Sequence, residues 1–156
     1  MKMDRSPYPA EIVVVAWEDP VVEALGHWPG DPYVEECWLG ILGPSTTLLW
    51  ARLARLCAAG PSTCVDAVDL AVSLGLGEGL RPNAPLPRSL ARLVQFGCGH
   101  RAGDTFAIRR ALPHVAARQL GRLSWSARCA HERLLGQIAE RYNETMAPVG
   151  SGSATR

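Results

Sequence analysis

Four Asp-Pro or Gly-Pro dipeptides cut the first 61 residues into short pieces. Proline has no backbone N–H and suits only the first turn of a helix, so each pair marks where a helix starts or has just ended. Asp19-Pro20 reads as an N-cap and first helical residue, with Gly26 as the stop. Asp31-Pro32 repeats the signal; Val34, Cys37, Trp38, Ile41 and Leu42 then fall on one helical stripe that runs to Gly43-Pro44. Ser45 reads as the cap of the next helix, whose apolar face carries Leu49, Leu53, Leu56 and Cys57 and which Gly60-Pro61 ends. Ahead of these pieces, the β-branched run from Glu11 to Trp17 reads as a strand.

Beyond Pro61 the punctuation changes to glycine. Ser62 or Thr63 starts a helix through Val65, Val68 and Val72, with Thr63 and Asp66 as a capping-box variant. Gly75, Gly77 and Gly79 break it, and a Pro/Asn-containing loop covers residues 80–87. Pro87 suits the first turn of a helix that runs to about Phe96. The stretch from Cys98 to Leu112 reads as a hairpin turning at Ala102-Gly103-Asp104. A last helix spans about Ser124 to Tyr142, with Ala127, Ala130, Leu134, Ile138 and Tyr142 along one side. The Gly/Ser-rich tail, residues 148–156, reads as disordered.

The order helix, helix, helix, hairpin between Ser45 and Leu112 resembles that of the winged helix-turn-helix superfamily. Leu70 to Leu76 resembles that superfamily's second helix and tight turn, Ser89 to Gly97 its recognition helix, and Gly103 to Arg110 its wing tip and return strand. The whole chain, including Tyr33-Val34-Glu35, Trp38-Leu39 and Leu42-Gly43-Pro44-Ser45, is similar to small uncharacterised winged-helix proteins of high-GC bacteria. The resemblance implies a mainly α fold with a small β-hairpin wing. It divides the chain into an N-terminal strand and helical extension (1–44), a winged helix-turn-helix (45–112), a C-terminal helix for dimerisation or packing (113–147) and the tail. One departure is an eleven-residue stretch, Gly77 to Pro87, where the superfamily uses three or four; it either adds a contact loop or displaces the third helix.

The net charge of +1 conceals an asymmetry. Residues 1–79 carry four cations against eleven carboxylates, and residues 80–156 twelve arginines against four carboxylates. That split suits an acidic partner surface and a separate basic one, or a chain whose two halves pair internally. Arg81, Arg88, Arg92, Arg101, Arg109 and Arg110 fall within 31 residues with Asp104 as the sole carboxylate, a density suited to phosphate neutralisation. The resemblance lays the third helix in the major groove, so Arg88, Ser89 and Arg92 become base-edge candidates, with Gln95 one turn on to read adenine. His100, Arg101 and Thr105 flank the wing tip and would meet phosphate or the minor groove.

The expected activity is therefore binding of double-stranded DNA, as a transcriptional regulator and a homodimer, with no catalytic role, cofactor or metal. The alternative is a winged helix that holds a protein partner on its acidic N-terminal half. A third reading, a metal or redox sensor, draws on Cys98-Gly99-His100 and Cys129-Ala130-His131, although two residues of one helix two apart point in different directions. Five scattered cysteines read as reduced thiols, mostly buried, and the five tryptophans as core or interface. His27 and His114 lie in Pro-rich loops and read as packing or surface residues. No apolar run is long enough for a membrane span and no signal peptide opens the chain, so a cytoplasmic protein is expected.

Overall fold

The computed structural model describes residues 8–147, a mixed α/β fold of seven helices and one four-stranded sheet. The elements are β1 (Glu11–Ala16), α1 (Pro20–Leu25), a π-helical segment (Val34–Trp38) running into α2 (Leu39–Leu42), α3 (Pro44–Ala58), β2 (Ser62–Asp66), α4 (Ala67–Ser73), α5 (Pro85–Gln95), β3 (Gly99–Ala102), β4 (Thr105–Ile108), α6 (Ala117–Leu120) and α7 (Trp125–Met146). The expected disordered tail lies outside the described residues.

The sheet is larger than a hairpin wing. Its order is β2-β1-β4-β3, with β1 antiparallel to β2 and parallel to β4. The N-terminal strand thus lies inside the sheet, joining the hairpin to β2. Alternation explains its placement: Ile12 and Val14 are fully buried while Val13 and Val15 are half-buried. Val14 is opposite Phe106, and both pack into the core with Ile108.

Three local expectations change. Residues 62–66 form β2 where a helix was predicted, because Thr63 and Val65 alternate and pair with Val14 and Ile12 of β1. The helix then starts at Ala67, capped by Asp66, whose carboxylate accepts from the Asp69 N–H at 2.7 Å. Ser45 is not a cap: α3 starts at Pro44, and Gly43, at φ +82°, fills the cap position without a side chain. Of the five tryptophans, expected in the core or an interface, Trp38 and Trp50 are deep core, Trp17 is half-buried, and Trp28 and Trp125 are exposed.

After the long connection, residues 74–84, α5 is anchored in the core. Leu86, Leu90 and Leu93 are completely buried, and α5 packs on α3 and β3. Burying three leucines is worth on the order of 5–8 kcal/mol.

The return segment after β4 ties the layers together. Trp50 donates its indole N–H to the Arg109 carbonyl (2.7 Å), and Trp38 donates to that of Pro113 (2.8 Å). His27 and Leu112 exchange backbone hydrogen bonds of 2.7 and 2.9 Å. The approach is so close that a Cβ on Gly26 would stand 2.6 Å from the Leu112 carbonyl oxygen and closer still to that of Val22. Both are backbone atoms and cannot rotate away. Gly26→Ala is therefore expected to lower unfolding stability by about 1–3 kcal/mol, measured by urea denaturation; an unchanged midpoint would show that the bridge is not tight.

Candidate nucleic-acid interface

The ten residues predicted to meet DNA do not share one face. Arg88, Arg92 and Gln95 do, at i, i+4 and i+7 on the outward side of α5. Arg88 is exposed and has no partner among the described residues. Arg92 donates from Nε (3.2 Å) and Nη2 (2.5 Å) to the Ile41 carbonyl and stacks over Phe96. A carbonyl carries no net charge, so Arg92 is anchored without being neutralised and keeps N–H donors to spare. Ser89 is buried, which removes it from the exposed reading face. Arg81 lies on the connection ahead of α5, exposed.

The other arginines turn inward. Arg109 pairs with Asp19 at 2.7 Å, donates to the Gly97 carbonyl at 2.9 Å and stacks on Trp17. Arg110 grips Glu23 with two parallel bonds of 2.8 and 2.9 Å. The hydrogen bond and charge of Arg109 hold the Asp19 carboxyl below its usual range. On the hairpin, Arg101 folds back onto the Gly103 carbonyl and lies over the Tyr8 ring. His100 is exposed and meets Trp17 edge-on, and the Thr105 hydroxyl faces Asp104 at 3.4 Å. With Arg133 paired to Glu36, the acidic and basic halves of the chain meet at three ion pairs among the described residues.

The Cys-x-His pairs do not converge. Cys98 is buried, its thiol pushed up to about 12 by desolvation, while His100 lies exposed on β3. Cys129 is exposed and His131 bonds Tyr33. Among the described residues, no group of three or more His, Cys, Asp and Glu side chains is placed to hold a metal.

A cluster that sequence reading missed gathers three of the four histidines. Asp31 Oδ2 meets His27 Nδ1 at 3.0 Å, and His27 Nε2 meets His114 Nδ1 at 2.7 Å. With the His27 proton on Nδ1 toward the carboxylate, Nε2 accepts from His114. Tyr33 stacks on His27, accepts from the Val115 N–H and donates to His131 Nδ1. Burial raises the Tyr33 hydroxyl to about 12. Only His27 and Asp31, four apart, carried a signal in the sequence; His114 and His131 arrive from 87 and 98 residues away. This cluster joins the N-terminal segment, the return segment and α7.

No protein family, curated protein or solved structure matches the chain.

Desolvation, then the neighbouring His27 and His131, lowers the pKa of His114 from 6.5, with Asp31 opposing. Above that value His114 is neutral in both folded and unfolded chains and adds no slope. Below it the unfolded chain takes up the proton more readily, so stability falls until the pH passes the folded value. Between about pH 7 and 5, His114→Asn is expected to lose less melting temperature than the parent; an identical acid profile would exclude His114 as the source.

Proposed function

We propose that the chain binds duplex DNA through a winged helix-turn-helix formed by residues 45–112. Two things support this reading. The succession α3, β2, α4, α5 and the β3–β4 hairpin follows the winged-helix order. The outward side of α5 presents Arg88, Arg92 and Gln95, with no carboxylate along the groove beside them. That second observation carries the proposal: two unneutralised guanidiniums one turn apart on a rigid helix suit a phosphate backbone or a guanine edge. Arg81 extends the charge from the preceding connection. Arg109 and Arg110 are excluded from the contact set, since freeing them means breaking ion pairs with Asp19 and Glu23.

Arg88→Ala is expected to weaken duplex binding about tenfold in a mobility-shift or anisotropy titration and to flatten the slope of log K against log salt by about one. Binding that is unchanged in a folded Arg88→Ala protein would remove α5 from the interface.

A second copy of the chain is the proposed partner for α7. The N-terminal half of this 22-residue helix packs on the π-helical segment, and Ala130 is its one fully buried residue. The apolar stripe continues past that contact through half-buried Leu135 and Ile138 to exposed Tyr142 and Met146, at spacings of three and four. Sedimentation equilibrium is expected to give a dimer that Tyr142→Glu with Met146→Glu converts to monomer; a parent protein that is monomeric at every concentration contradicts it. A foreign partner on the acidic half has less support, because Asp19, Glu23 and Glu36 are already paired within the chain.

A further inference from the structure

Beside the outward side of α5 lies an open groove of about 540 Å³, walled on the far side by the junction of α2 and α3. It is lined with donors: Ser45 and Thr46 at the start of α3, and Arg88, Ser89 and Arg92 on α5. Thr46 is 4% exposed and Ser89 6% exposed. Neither hydroxyl has a hydrogen-bond partner among the described residues, and neither is sealed inside the protein. Two unpaired hydroxyls carried by largely buried residues along one groove are pre-positioned donors and acceptors for a bound ligand.

The backbone adds to this. The first turn of the 15-residue α3 has no capping side chain, because Gly43 holds the cap position. Pro44 has no N–H to satisfy, while those of Ser45 and Thr46 find no acceptor within the helix. A helix N-terminus carries partial positive charge and free N–H groups, which is the arrangement that holds anions. Arg92 is fixed over this end by its bonds to Ile41, one residue before α2 finishes. No carboxylate lines the groove to compete.

We infer that the groove between α5 and the start of α3 binds a small phosphorylated molecule, whose phosphate is held by Thr46, Ser89 and the first-turn amides of α3 between the guanidiniums of Arg88 and Arg92. The volume exceeds what a phosphate group fills and falls in the ~300–1,000 Å³ range of small-molecule sites, leaving space for an organic part. The inference goes beyond duplex recognition: the hydroxyls are recessed, so a small ligand reaches them more readily than a DNA backbone does. Because Arg88 and Arg92 serve both surfaces, an occupied groove would compete with DNA for the same charges.

The test uses the parent protein and a Thr46→Val, Ser89→Ala double variant, which keeps side-chain size nearly constant and leaves every arginine in place. Inorganic phosphate is titrated at constant ionic strength against a chloride control, following the backbone amides by NMR. Saturable shifts at Ser45, Thr46 and Ser89 are expected in the parent, with affinity at least fivefold weaker in the variant. Duplex affinity, measured separately, is expected to be the same in both proteins. Shifts that chloride reproduces, or that persist undiminished in the variant, would overturn the site. Loss of duplex binding in the variant would assign the groove to DNA phosphates and overturn the small-ligand assignment. Failure of the parent to bind duplex at all, with phosphate shifts intact, would sink the DNA reading and leave the groove standing.

Discussion

Residues 109–115 are the strap on which the rest of the structure depends. Once a chain leaves an edge hairpin, its buried carbonyls and amides lose the sheet as a partner and need others. Here four of the seven residues find partners outside the sheet. Trp50 of α3 takes the Arg109 carbonyl, His27 pairs with Leu112, Trp38 takes the Pro113 carbonyl and the Tyr33 hydroxyl takes the Val115 amide. An unpaired buried group costs about 1–3 kcal/mol, so these bonds together fix where the N-terminal segment lies against the hairpin. Large rings supply three of these partners, Trp50 and Trp38 as donors and Tyr33 as acceptor, and their burial adds hydrophobic stabilisation at the same points.

The strap also sorts the charges. Its first two side chains, Arg109 and Arg110, turn toward α1 and meet Asp19 and Glu23. Part of the apparent polarity between the acidic and basic halves of the sequence is cancelled there and at the Arg133–Glu36 pair. On α5 Arg88 and Arg92 keep their charge, the first without a partner among the described residues and the second held by a neutral carbonyl, beside a helix start that also favours anions. A chain of net charge +1 thereby keeps a concentrated positive surface.

The boundaries set by Pro and Gly were legible in the sequence, because they act through the backbone of the residues that carry them. Asp19-Pro20 starts α1 and Ser124 caps α7 as expected. The hairpin turns at Gly103, whose φ of +64° suits glycine. The valines of residues 62–72 fit a helical spacing as well as a strand, and only the presence of β1 as a neighbour decides for a strand at β2. Which arginines stay free was not legible either. Arg88 and Arg109 look alike in sequence, and a carboxylate 90 residues away separates their roles. The histidine cluster and the groove shared by Thr46 and Ser89 depend on the same kind of distant juxtaposition.

The central claim, that the outward side of α5 is the recognition surface, is tested most directly by mapping amide chemical shifts while short duplex DNA is added at low salt. The account predicts shifts concentrated at Arg88, Ala91, Arg92 and Gln95 and at Arg81, with the amides of α1 and of residues 109–115 unmoved. Shifts concentrated on α1 or α7 while α5 stays still, or no shifts at any duplex concentration, would contradict it.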